Sequence, residues 1–144
     1  MNGSNLDNLY RQVIMDHYKS PRNKGLKGFK SAHIKNPSCG DDITIEADIQ
    51  NDKIIHLNHE GTGCSICCSS ASVMCELLEG KSVSDAQRII KKYNDMIKGE
   101  EIDEEDELEE ALVYQGVCKF PARVKCATIS WKALEKLVSG DDDE

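Results

Sequence analysis

Long apolar runs are absent from this chain. No stretch approaches the roughly 18 consecutive apolar residues that a membrane span needs, so no membrane association is expected. Met1 to Ile14 carries Asp7 and Arg11 without a continuous apolar core, which argues against a secretory signal and for a cytoplasmic protein. Aromatic residues are scarce, at 5%. The basic stretch Lys19 to Lys35 in particular has little aromatic interleaving, so nucleic acid is a poor partner for it. Several signatures are missing as well. Gly61-Thr62-Gly63-Cys64-Ser65 lacks the lysine and spacing of a phosphate loop. His17, His33, His56 and His59 form no His-x-x-x-His pair, and no Ser-His-Asp arrangement can be read from spacing.

What remains is a 144-residue chain of ordinary globular composition, 39% apolar and 31% charged, long enough for one domain over residues 1–144. The net charge of −8 is unevenly spread. Glu100 to Glu110 holds nine acids and no base, and the tail Asp141 to Glu144 adds four. Without those 13, the other 13 acids face 18 bases, a balance of about +5. Lys19 to Lys35 carries six basic residues and no acid, which suits an acidic protein partner.

Hydrophobic periodicity predicts the elements. Leu6, Leu9, Tyr10, Val13, Ile14 and His17 share a helical face over residues 6–18, and Pro21 ends it. Ile43, Ile45, Ala47 and Ile49 alternate with polar residues. With the turn Asn51-Asp52 and the run Lys53 to His59 they predict a hairpin. A third strand is expected over 29–36, because an isolated hairpin is marginal. Helices follow over Ser65–Leu78, from a Ser84 cap to about Lys98, and over 121–138, with a short piece at 108–115 and a mobile acidic run at 100–107. Strands first and helices after predict an α+β fold: a small antiparallel sheet of about three strands with helices packed on one face.

Seven cysteines, an odd number, point in a reducing compartment to metal or redox chemistry rather than disulfides. Three stand near chain breaks. Pro37 and Gly40 frame a turn in which Cys39 and Asp41 can face one side. Cys64 follows Gly61-Thr62-Gly63 at a helix start, where the helix dipole favours thiolate. Cys126 follows Arg123 and Lys125 near the last helix. A thiolate is both a metal ligand and a sulfur nucleophile. Cys64-Ser-Ile-Cys67 is also formally a Cys-x-x-Cys, which admits a thiol oxidoreductase. Cys68 and Cys75 read most simply as core.

The wording Asn36-Pro-Ser-Cys-Gly-Asp41, Gly61-Thr-Gly-Cys-Ser-Ile66 and Phe120-Pro-Ala-Arg-Val-Lys-Cys126, with Asp16-His-Tyr-Lys-Ser-Pro-Arg-Asn23, resembles the IscU/NifU-N family of iron–sulfur cluster assembly proteins. The lengthened stretch between Cys64 and Cys126, an acidic insertion around 95–115, and Lys125 at a position where other branches carry a histidine resemble the SufU branch. That resemblance implies a Zn2+ site of Cys39, Asp41, Cys64 and Cys126, with Arg123 and Lys125 beside it. It implies a zinc-dependent sulfur acceptor, at most a sulfurtransferase, served by a PLP-dependent, SufS-like cysteine desulfurase and other iron–sulfur assembly proteins. The alternative it leaves open is a scaffold for a [2Fe-2S] cluster. Among the three thiols Cys39, in a loop with a glycine directly after it, is the expected sulfur acceptor.

Overall fold

The computed structural model describes residues 3–37 and 40–139, with side chains from Asn8 onward. Cys39 and the acidic tail 141–144 lie outside the described residues. The chain runs α1 (Gly3–Lys19), β1 (Lys30–Asn36), β2 (Asp41–Gln50), β3 (Lys53–Thr62), α2 (Ser65–Leu78), α3 (Val83–Ile97), a 3₁₀ segment (Glu105–Lys119) and α4 (Pro121–Val138).

The three strands form one antiparallel sheet in the order β1-β2-β3. Asn51 and Asp52, both at positive φ, make the two-residue turn between β2 and β3, the conformation that matches strand twist in tight hairpins. Alternation along β2 buries Ile43, Ile45 and Ala47 under the helices. On the opposite face Glu46 is also buried, at 1% exposure. The loop before β1 wraps over its carboxylate and donates the backbone N–H groups of Lys27, Gly28 and Phe29 at 2.7, 3.0 and 3.1 Å. Asn58 Nδ2 donates a fourth bond at 2.7 Å. Burial works to raise the Glu46 pKa, but these four donors outweigh it and hold the group below its usual value.

Helix α2 is the hub. It packs on α1, α4, β3 and the 3₁₀ segment, and ten of its 14 residues are buried. Its sequence, Ser-Ile-Cys-Cys-Ser-Ser-Ala-Ser, looks too polar for that position. Each buried serine has a partner, however, as a buried polar group requires. Ser69 meets the Tyr114 hydroxyl at 2.5 Å. Ser70 donates to the Ala127 carbonyl and accepts from Trp131 Nε1, both at 2.9 Å. Ser72 meets His17 Nδ1 and accepts the Arg22 backbone N–H, both at 2.8 Å. The small side chains also let aromatic residues close in: Tyr93 stacks on Trp131 with centroids 3.7 Å apart, a pair worth about 0.5–1.5 kcal/mol beyond its buried area.

Four expectations change. The cap of α3 is Ser82, whose hydroxyl accepts the Asp85 N–H at 3.1 Å, rather than Ser84. Leu9 is 54% exposed rather than on the buried face of α1. The helical piece expected at 108–115 is a longer 3₁₀ segment broken at Glu109 (φ 47, ψ −126). The end of the acidic run 100–107 lies within this segment and is held there: Glu107 pairs with Arg88 and, at 2.6 Å, with Lys92, and these cations hold its pKa at about 2. Among the described residues no helix is long and apolar enough to cross a membrane.

Candidate metal centre

Three of the four expected ligands converge at one end of the sheet. Asp41 opens β2 opposite Asn36 of β1, Cys64 is the residue before α2, and Cys126 lies in the second turn of α4. Their ligand atoms all lie within 4.8 Å of one another. Asp41 is 1% exposed and Cys126 fully buried, whereas Cys64 is partly open to solvent.

The strand ends set this geometry. Asp41 Oδ1 accepts the Cys64 backbone N–H at 3.2 Å, and Asn36 Nδ2 donates to Oδ2 at 3.4 Å. Oδ1 also sits where a side chain on residue 63 would be. A Cβ built on Gly63 would stand 2.5 Å from it. Glycine at 63 is therefore a matter of space for the carboxylate. Gly61 is needed in the same sense, since a Cβ there would meet the Asp42 carbonyl oxygen of the paired strand at 2.0 Å.

Asp42 points elsewhere. Its carboxylate is 43% exposed and bonds His33 Nε2 at 2.5 Å. The burial of Asp41 and its contact with the Cys64 amide thus separate two adjacent aspartates that the sequence could not distinguish except by motif position. The Gly40 N–H donates to the Asn36 carbonyl at 2.9 Å. Arg123 and Lys125 are exposed on the first turns of α4, with no ion pair among the described residues. Cys126 Sγ donates to the Ala122 carbonyl, at 3.9 Å.

The donor set fits a soft, tetrahedral divalent ion. Zn–S and Zn–O bonds of about 2.0–2.3 Å place tetrahedral ligand atoms roughly 3.3–3.8 Å apart. A group already within 4.8 Å needs only modest contraction to reach that spacing.

The other thiols divide. Cys67 and Cys75 are fully buried. The Cys67 S–H hydrogen-bonds Cys68, and with burial this pushes the Cys67 pKa far up. The same bond, opposed by burial and helped by the Lys24 charge, pulls Cys68 down to about 7. Cys68 is partly exposed rather than core, one turn beyond Cys64. The histidines are satisfied structurally. His59 is buried, and its Nε2–H donates to the Arg22 carbonyl at 2.8 Å. His17 bridges Ser72 and Glu110, the latter at 2.7 Å from Nε2. Exposed His56 stacks on Phe29.

The structure thus joins a three-stranded antiparallel sheet backed by helices to a candidate metal centre of two cysteines and an aspartate at one end of the sheet. Residues 9–127 match the family described as NifU-like N terminal domain, and the chain belongs to that family. It is 48% identical over 140 residues to the zinc-dependent sulfurtransferase SufU of Bacillus subtilis, covering 96% of this chain and 95% of that one. It is 38% identical over 136 residues to the iron–sulfur cluster assembly scaffold protein IscU of Streptococcus pyogenes, covering 94% and 86%. Its fold superposes with a TM-score of 0.78 and 36% identity on a Fervidobacterium islandicum protein described as a candidate iron–sulfur cluster assembly scaffold of the SUF system, covering 86% and 92%.

Proposed function

We propose that this chain is a zinc-dependent sulfur acceptor in iron–sulfur cluster assembly. Cys39, Asp41, Cys64 and Cys126 hold the ion, and Cys39 takes sulfur from a PLP-dependent cysteine desulfurase. The observation that carries the reading is the convergence of Asp41, Cys64 and Cys126 in a chain so similar along its length to a zinc-dependent sulfurtransferase. Bound zinc keeps the thiols deprotonated at neutral pH and holds them together.

The remaining work falls to the chain. Gly63 and the Cys64 amide fix the Asp41 carboxylate. The Cys39 thiolate attacks the terminal sulfur of the desulfurase persulfide. A new S–S bond forms on Cys39, the old one breaks, and the desulfurase thiolate leaves. Exposed Lys24, Lys27 and Lys30 form the basic face that docks an acidic partner.

The test is the rate of alanine and sulfide formation by the desulfurase with cysteine and a reductant, with and without this protein, beside elemental analysis of the purified chain. Stimulation by a protein holding one zinc supports the reading. An unchanged rate counts against it. The similarity to scaffold relatives supports a second reading, in which the same cysteines assemble a [2Fe-2S] cluster. Anaerobic reconstitution with iron and sulfide would then yield a stable visible chromophore that the zinc-loaded protein resists forming.

A further inference from the structure

One turn beyond Cys64, Cys68 lines a cleft of its own. A cleft of about 50 Å³ is lined by Tyr18, Pro21, Lys24, Ile43, His59, Gly61 and Cys68. That is room for no more than a few water-sized occupants, each needing about 10–15 Å³. Its walls are fixed. The loop carrying Lys24 is stitched to β3 by the Gly25 N–H on the His59 carbonyl at 2.8 Å and the His59 N–H on the Asn23 carbonyl at 3.0 Å. The His59 ring is held by the Arg22 carbonyl.

Cys68 Sγ reaches back to the Gly63 carbonyl at 3.6 Å. Gly63 is the residue packed against the Asp41 carboxylate, so one residue separates the cleft from the metal ligands. Among the residues lining the cleft, Lys24 carries the full charge, and it is positive. Among the described residues the other partly exposed thiol outside the centre, Cys118, lines a cavity with Glu100, Glu101 and Glu105, which repel an anionic sulfur donor.

We propose that Cys68 is a second sulfur-accepting thiol, which takes the outer sulfur of a persulfide presented at the Lys24–Gly61 mouth of this cleft. This deepens the sulfur-transfer reading and rests on it for the natural donor, a persulfide on Cys39. The Cys68 thiolate attacks the outer sulfur of R–S–SH. One S–S bond forms and one breaks, and the released RS⁻ takes up the proton displaced from Cys68. No external oxidant is required. Lys24 offsets the negative charge of the attacking thiolate and of the product persulfide. The cleft shields that product from bulk thiols that would strip the sulfur away.

The test uses the zinc-loaded full chain and glutathione persulfide as donor, followed by alkylation, tryptic digestion and fragment-ion mapping. Added sulfur is expected on Cys68, within peptide 54–81. Cys68→Ser should abolish it there and Cys67→Ala should not. Lys24→Glu should slow loading roughly tenfold through charge reversal at the mouth. Sulfur that persists on this peptide in Cys68→Ser, or loading on Cys118 that equals or exceeds loading on Cys68, overturns the inference. A protein loaded at Cys68 by glutathione persulfide, yet never loaded on any cysteine by a desulfurase, keeps this site and overturns the sulfur-transfer reading instead.

Discussion

Gly63→Ala adds one methyl group in the tightest place next to the candidate ligands. That carbon would stand 2.5 Å from Asp41 Oδ1 and 3.2 Å from its carboxyl carbon. Ordinary carbon contacts lie at about 3.5–4.0 Å, so the carboxylate must retreat by roughly 1 Å. Asp41 has little room to do so, being buried, bonded to the Cys64 amide and joined to Asn36. The substitution therefore misplaces one ligand while leaving three thiolates. Disturbing the groups that orient metal ligands typically costs 10–100-fold in affinity, or about 1.4–2.8 kcal/mol at 1.4 kcal/mol per tenfold. Competition against a chromophoric chelator measures this directly. Gly28→Ala is the control. Gly28 has φ +97 and open space around it, so alanine there strains the loop and lowers stability by about 1 kcal/mol without touching zinc affinity. If Gly63→Ala binds zinc as tightly as the native chain, Asp41 is not a ligand and the assignment fails.

Other outcomes follow from the same contacts. Asp41→Ala should lower zinc occupancy sharply while Cys67→Ala keeps it, as elemental analysis of the purified variants would show. Because the Glu46 pKa is lowered by folding, its contribution to stability is complete above the unfolded value near 4.5 and is lost as pH falls through the lower folded value. Denaturant titrations of zinc-free protein should show an acid limb that Glu46→Gln flattens. Ser70→Val strands the Trp131 indole N–H in the core and should cost about 1–3 kcal/mol, read as a lowered Tm. Reversing Lys24, Lys27 and Lys30 to Glu should slow association with the desulfurase at low salt and reduce its salt dependence; an unchanged on-rate would remove the basic face from the docking surface.

The hairpin, its Asn51-Asp52 turn and the outer helices were legible because alternation and helical spacing state directly which side is buried. That Asp41, Cys64 and Cys126 would come together was legible in the short motifs that carry them, the first two of which stand beside breaks in the chain. Three things were not. The burial of α2 depends on serines whose partners, Tyr114, Trp131 and His17, lie 45 to 61 residues away in sequence, and no local pattern encodes that. Cys68 shares a helix face with Cys64 and Cys75, so spacing alone made it core. The face in fact passes from metal centre to open cleft to core within eleven residues, because the loop carrying Lys24 leaves a gap over one turn. The choice of Ser82 over Ser84 as the α3 cap turned on two residues of register, which a Ser-Val-Ser sequence does not specify.

Whether Cys39 receives the sulfur is tested most directly by where sulfur sits after one turnover with a desulfurase and cysteine. Trypsin places Cys39 alone in peptide 36–53, apart from Cys64 in 54–81 and Cys126 in 126–132, so mass mapping separates the three candidates. One added sulfur is expected on peptide 36–53 at the earliest time, and no sulfur uptake from the desulfurase by the Cys39→Ser protein. First appearance of the sulfur on peptide 126–132 or on Cys64, or undiminished uptake by Cys39→Ser, would contradict it.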